Sequence, residues 1–159
     1  MNQKISIREY LPEDVQELAN LYFNTIHRVN IKDYTEEQIN VWAPKSSLEI
    51  EGWSKKFSRT KPFVAVVGRT LVGFAEFEPN GHIDCFYCHH EWICKGVGTA
   101  LMKEIFRKAK EYKLYCIFSE VSITAKSFFE KWGFKVLSKQ TLVREGVEIT
   151  NYKMEKQLL

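Results

Sequence analysis

The sequence has little surplus of charge of either sign. Its 23 Lys and Arg against 20 Asp and Glu leave +3 over 159 residues, and so scattered an excess offers no basic patch for nucleic acid. Also missing is any apolar run near the roughly 20 residues of a membrane span. The first eight residues alternate like a strand instead of forming the apolar segment of a secretory signal. These absences predict a cytoplasmic protein with neither a nucleic-acid nor a membrane partner. There are no internal repeats, low-complexity tracts or linkers, and 45% hydrophobic with 27% charged side chains suits an ordinary globular chain. One domain over residues 1–159 is expected, large enough for a real core.

Cysteine is sparse: Cys85, Cys88, Cys94 and Cys116. In a reducing compartment these read as small buried hydrophobes, not disulfide partners. Cys85-x-x-Cys88-His89-His90, followed by Cys94, has enough donors for zinc. Two cysteines three apart on a strand point to opposite faces, however, and a zinc knuckle would need a turn there. The reading adopted is no metal.

Periodicity sets out the elements. Lys4 to Glu9 reads as a strand. Pro12 suits the first turn of a helix, and Val15, Leu18, Ala19, Tyr22, Ile26 and Val29 form one stripe along it. Thr35-Glu36-Glu37-Gln38 is a capping box opening a second helix through Trp42, which Pro44 should end. Leu48 to Arg59 is a third helical piece with Ile50, Trp53 and Phe57 on one face. Pro62 to Val67 and Thr70 to Glu78 read as strands, and Asn80-Gly81 returns the chain into a third, His82 to Cys88. Val97, Leu101, Ile105, Ala109 and Tyr112 mark a long amphipathic helix. Leu114 to Glu120 is the next strand. Ala125 to Trp132 is a short helix stopped at Gly133, and two strands, Lys135 to Val143 and Glu148 to Glu155, close the chain.

Between the third strand and the long helix lies Lys95-Gly96-Val97-Gly98-Thr99. A strand running through two glycines into a helix suggests an anion site. Glycine lets a ligand approach the backbone, and the first helical N–H groups lack intrahelical partners, so a pyrophosphate could be held there with help from the helix dipole. The loop is not a Walker A sequence, which needs Gly-x-x-x-x-Gly-Lys-Ser/Thr. Nor does it carry the third glycine of a dinucleotide fingerprint, since Leu101 follows. Glu120 lies at about the ribose-binding distance, yet the preceding strands read as hairpins and not as βαβ units.

On these residues the chain resembles the GNAT superfamily of acetyl-CoA-dependent N-acetyltransferases. That family's signature, Gln/Arg-x-x-Gly-x-Gly/Ala between a strand and a long helix, is matched by Ile93-Cys94-Lys95-Gly96-Val97-Gly98. A small residue, an aromatic pair and Gly-Phe near the C-terminus are matched by Ser122 through Phe134. The resemblance implies a mixed α/β fold, a mostly antiparallel central sheet of about seven strands flanked by helices. It implies acetyl-CoA as co-substrate and a small-molecule or protein amine as acceptor. Family members are often dimers, so a homodimer is an expectation from the resemblance.

The resemblance also assigns roles. The backbone of Phe86, Tyr87 and Cys88 would pair with the pantetheine arm, lodged where this strand and the next splay apart. The N–H groups of Cys94, Lys95, Gly96, Val97, Gly98 and Thr99 would take the pyrophosphate, with Ile93 contributing its backbone. Lys95 could touch a phosphate or simply be solvated. Ser122, Ala125, Phe128 and Phe129 would flank the cofactor, the two phenylalanines also anchoring the short helix. Ile93 replaces the usual Gln or Arg, and Phe129 replaces a tyrosine thought to protonate the leaving thiolate. His82, Asp84, Phe86 and Cys88 read as one face of the central strand. His82, with an ordinary pKa of about 6.5, and Asp84 are the candidate general bases; Glu76 and Glu78 are further ones. Tyr22, Phe23, Tyr34, Trp42 and Trp53 are expected mainly in the core, or else bordering the acceptor. The competing function is a catalytically weak CoA-binding sensor or regulatory module.

Overall fold

The structure, a computed structural model, describes residues 4–158; the expected strand character of residues 1–3 lies outside them. Seven strands form one sheet: β1 (Ser6–Glu9), β2 (Phe63–Val67), β3 (Thr70–Phe77), β4 (His82–Cys88), β5 (Cys116–Ser122), β6 (Lys135–Arg144) and β7 (Val147–Gln157). Their order is β1-β2-β3-β4-β5-β7-β6. Every pair is antiparallel except β4 with β5. The helices are α1 (Val15–Arg28), α2 (Glu36–Trp42), α3 (Ile50–Thr60), α4 (Val97–Glu111) and α5 (Lys126–Lys131).

The expected order of elements is observed, and the differences lie at their ends. Pro12 opens a separate 3-10 turn before α1, and the third helical piece splits into a 3-10 turn, Lys45–Leu48, and α3. The strand expected from Leu114 starts at Cys116, because the residues before it close α4. Lys113 is left-handed at φ 58°, and the Leu114 N–H turns back to the Ala109 carbonyl at 3.0 Å. The capping box is present: the Gln38 N–H donates to the Thr35 hydroxyl at 3.1 Å, and the Thr35 N–H donates to the Gln38 side chain at 2.8 Å.

The sheet has a core on each face. On one, Val97, Leu101, Met102 and Ile105 of α4 pack with Phe129 and Phe134 over Ile83, Ile117 and Met154. On the other, Val15, Leu18, Leu21 and Phe57 cover Val64, Phe74 and Cys85. A smaller cluster joins Ile26, Tyr34 and Ile39 to Ile149 of β7. The start of α4 sits unusually close to β3. A Cβ on Gly73 would come within 2.7 Å of Val97 Cγ1, so only glycine lets the first turn of this helix rest on the sheet.

One irregularity changes the reading of β4. Ala75 pairs with Phe86, but Phe77 pairs with Ile83, so Glu76 stands opposite both Asp84 and Cys85. This is a β-bulge. It corrects the expectation that His82, Asp84, Phe86 and Cys88 share a face. Past the bulge the alternation is displaced by one. His82 and Asp84 stay on the side of α1–α3, while Phe86 and Cys88 join the core under α4 and α5.

Tyr34 ties this frame together. Its hydroxyl donates to the Thr150 carbonyl at 2.7 Å and accepts from the Ile123 N–H at 2.9 Å. Tyr34→Phe leaves both backbone groups without that partner and should cost about 1–3 kcal/mol. Urea unfolding checks this; a loss within error would show that the bridge carries no stability.

Candidate active site

The loop before α4 is the first component. Cys94 is left-handed at φ 60° and Gly96 at φ 90°, which turns the chain sharply into the helix at Val97. Among the described residues, none of the backbone N–H groups from Ile93 to Thr99 donates a hydrogen bond to a protein acceptor. Seven consecutive amides are thus left at the positive end of a 15-residue helix. The Ile93 side chain is 38% exposed, so this position offers its backbone. Lys95 places its Nζ 5.4 Å from the Trp92 ring centre, at the edge of the loop.

The second component is a fork in the sheet. β4 and β5 pair only at His82–Phe118 and Ile83–Ser119, whereas β5 stays paired with β7 along its whole length. The buried Ser119 hydroxyl donates to the Ile83 carbonyl at 2.7 Å where pairing stops. Beyond it, Phe86, Tyr87 and Cys88 have no strand on that side. The Cys88 carbonyl is already engaged, accepting from the Thr25 hydroxyl at 2.7 Å.

A cleft of about 310 Å³ opens at the fork, within the size range of small-molecule sites. Of the residues expected at the site, His82, Asp84, Phe86, Tyr87, Ser122, Ala125 and Phe129 line it. Cys88, Phe128 and the loop from Ile93 to Thr99 do not. Phe128 stands between loop and cleft: its ring centre is 5.6 Å from that of Phe86, and its far end lies where a Cβ on Gly98 would come within 2.9 Å. Ser122 shapes the turn into α5, its hydroxyl accepting from the Ala125 N–H at 3.1 Å. Phe129 is 2% exposed and packs edge-on against Phe86 and Phe134.

Four of the five aromatics expected mainly in the core, Tyr22, Tyr34, Trp42 and Trp53, also line the cleft. Phe23 stacks instead on His27. Burial pushes the Tyr22 phenol up to about 12 and the Tyr87 phenol well above its usual value, so both remain neutral. Tyr22, Trp53 and Lys56 separate this cleft from a second hollow bounded by Ser46, Ser47 and Glu49.

Two charged clusters sit on the cleft wall. In the first, the Lys56 ammonium lies 2.9 Å from Glu76, 3.0 Å from Asp84 and 3.6 Å from the Cys85 sulfur. The Glu76 contact has the distance of an ion pair without the alignment of a hydrogen bond, and the other Glu76 oxygen accepts from the Thr60 hydroxyl. Burial opposes the charge on Lys56, but its acidic surroundings raise its pKa above the ordinary value. Burial also pushes the Cys85 thiol well up, so at neutral pH the carboxylates hold the ammonium. Glu76, Asp84 and Cys85 are spaced closely enough to ligate a metal, and the lysine takes the central position. Cys85 faces α3 and Cys88 faces α4, so the two thiols of the Cys-x-x-Cys do not converge.

In the second cluster, His82 Nδ1 lies 2.7 Å from Glu78 and Nε2 lies 2.9 Å from Glu120, with the ring stacked on Phe118. Burial would lower the imidazole pKa, but the two carboxylates outweigh it and the net shift is upward. Both nitrogens are therefore occupied.

Sequence reasoning missed Lys56, Arg144 and Asn151 as cleft residues and gave Glu120 no part in the site. Lys56 immediately precedes Phe57 on the apolar stripe of α3, and that is the one local signal. Arg144 and Asn151 reach the cleft through the β6–β7 pairing, which no local pattern reveals.

Comparison with known proteins agrees with this geometry. A family model described as an acetyltransferase (GNAT) domain matches residues 30–156. The N-acetyltransferase YafP of Escherichia coli strain K12 is 29% identical over 150 residues, 94% of each chain. The crystal structure of a GCN5-related N-acetyltransferase from Rhodopseudomonas palustris superposes with a TM-score of 0.91 at 28% identity, covering 99% of both chains. At 21% identity the PaiA N-acetyltransferase of Thermoplasma acidophilum, solved with coenzyme A, shares the fold with a TM-score of 0.74 over 97% of this chain and 99% of its own. Among the described residues no helix is long and apolar enough to cross a membrane. The chain belongs to the GNAT acetyltransferase family, whose reaction draws its acetyl group from acetyl-CoA.

Proposed function

We propose that the chain moves the acetyl group of acetyl-CoA onto a primary amine that enters the cleft at the β4–β5 fork. The observation that carries this reading is the row of seven amides leading into the first turn of α4, none paired among the described residues, set beside the open edge of β4. Backbone N–H groups aimed together at a helix N-terminus suit a diphosphate. Ile93 to Thr99 would take it, Phe86 and Tyr87 would run alongside the pantetheine arm, and Ser122, Ala125, Phe128 and Phe129 would flank it.

The amine nitrogen attacks the thioester carbonyl, the C–S bond breaks, and the ammonium proton must leave. His82 and Asp84 each have a carboxylate or ammonium partner, so the proton route is a shared one. Glu120, 42% exposed and lining the cleft, takes the proton and releases it to water. His82, anchored by Glu78, orients that carboxylate. Asp84, paired with Lys56, is the second acid on the same wall. Phe129 has no proton to give, so the thiolate collects one from water, which its ordinary pKa of about 8.5 allows. The buried phenyl ring at Phe129 also favours a second reading, a CoA-binding module without turnover; amine-dependent CoA release separates the two.

Gly98→Val should drive a branched side chain into the Phe128 ring and across the amide row. Because the crowded atom is the end of the Phe128 side chain and not backbone, the fold should survive while acetyl-CoA affinity falls at least about tenfold. Calorimetry on the folded variant decides, and an unchanged Kd removes the loop from the site. Glu120→Gln should lower kcat about a hundredfold at pH 7, with recovery as the pH approaches the pKa of the amine itself. A kcat within twofold of the parent would exclude Glu120 as the proton acceptor.

His82 gives a separate pH signature. A folded-state pKa raised above the unfolded one means its ion pairs contribute in full below about pH 6.5 and are lost as pH rises through the higher folded value. The stability gap between the parent and His82→Gln should therefore narrow from pH 6 toward pH 9. A gap that widens would contradict the clamp.

A further inference from the structure

Three basic side chains line the cleft: Lys56, His82 and Arg144. Two are already answered by protein carboxylates, Lys56 by Glu76 and Asp84, and His82 by Glu78 and Glu120. Arg144, at the end of β6, has no carboxylate within 4.0 Å among the described residues. Its charge nonetheless acts inward on the buried Tyr22 phenol. On β7, four register positions from Arg144, the Asn151 side-chain oxygen is buried at the same cleft with no hydrogen-bond donor among the described residues. The cleft thus presents an unanswered guanidinium and an unanswered acceptor oxygen on the β6–β7 side. Carboxylates stand on the β4–β5 side, and aromatic walls lie between.

We infer that the acceptor is a small amino carboxylate with an apolar or aromatic body, and that Arg144 binds its carboxylate. This inference rests on the transferase reading above. A guanidinium is permanently charged and matches a carboxylate with two parallel N–H donors. The Asn151 oxygen accepts from the acceptor's N–H, and the amine points toward Glu120. An amine without a carboxylate leaves Arg144 unanswered, and an amide of the same acid lacks the charge to answer it. Arg144 is thus a specificity residue, acting on which amine is held and not on the chemistry of transfer.

The test uses phenylalanine, phenylalaninamide and phenethylamine, which share one body and differ at the carboxyl position. CoA release is measured for each, together with calorimetric binding to the CoA-saturated protein. The parent should prefer phenylalanine over both analogues by about tenfold or more in kcat/KM and in Kd. Arg144→Gln should collapse that ratio toward one, chiefly through KM, and Arg144→Lys should restore part of it. Equal handling of the three compounds by the parent, failure of all three to bind, or a ratio that survives Arg144→Gln would overturn the inference. Acetyl-CoA titration of the same proteins reports separately on the transferase reading; if it fails, the three compounds are titrated into the cofactor-free protein, where their ratio still reports on Arg144.

Discussion

The parting of β4 from β5 after two residue pairs is the constraint on which the site depends. A parallel pair that continued would fill the space now open and satisfy the edge of β4 internally. Pairing can stop cleanly because the Ser119 hydroxyl satisfies the Ile83 carbonyl at the branch, and buried carbonyls left alone are costly. On the far side β5 remains secured to β7 throughout. The opening is therefore bounded by a strand that is fully paired on its other side.

The two halves of the site are positioned by different devices. The amide row depends on Gly73, which lets Val97 and Leu101 settle against β3, and on the left-handed turn at Cys94 and Gly96. The charged wall gains Cys85 from the bulge. Asp84 keeps the register of the Phe77–Ile83 pair and faces Glu76, while the extra residue adds the Cys85 sulfur to the side that Lys56 occupies and turns Phe86 to the other face. Phe128 lies between the halves, touching Phe86 on one side and crowding Gly98 on the other. The helices α1–α3 and the β6–β7 hairpin close the cleft from opposite sides, and Tyr34, between α1 and α2, is tied to β7 at Thr150 and to the turn after β5 at Ile123.

Much of this was legible because it is local. The capping box at Thr35, the 3.6-residue stripe of α4, and the turns at Asn80-Gly81 and Gly133 each rest on neighbours within a few positions. The strand–loop–helix around Gly96 was legible for the same reason. The bulge was not, since it is a mismatch in count between β3 and β4 and is invisible in either strand alone. Strict alternation through His82, Asp84, Phe86 and Cys88 was the natural reading and held only to the bulge. Lys56 was not legible as a site residue because its partners lie 20 and 28 residues away. The aromatics Tyr22, Tyr34, Trp42 and Trp53 read mainly as core or else as bordering the acceptor, and sequence alone does not say which side of a buried ring borders a cavity.

Lys56 has a further consequence. A protein that handles an activated acyl group exposes its own nucleophiles to that group, and a primary amine on the cleft wall is the most vulnerable of them. Only the uncharged form has a lone pair with which to attack a thioester. By enclosing this side chain with Glu76 and Asp84 and keeping it protonated, the fold shields the protein from acylating itself beside its own substrate.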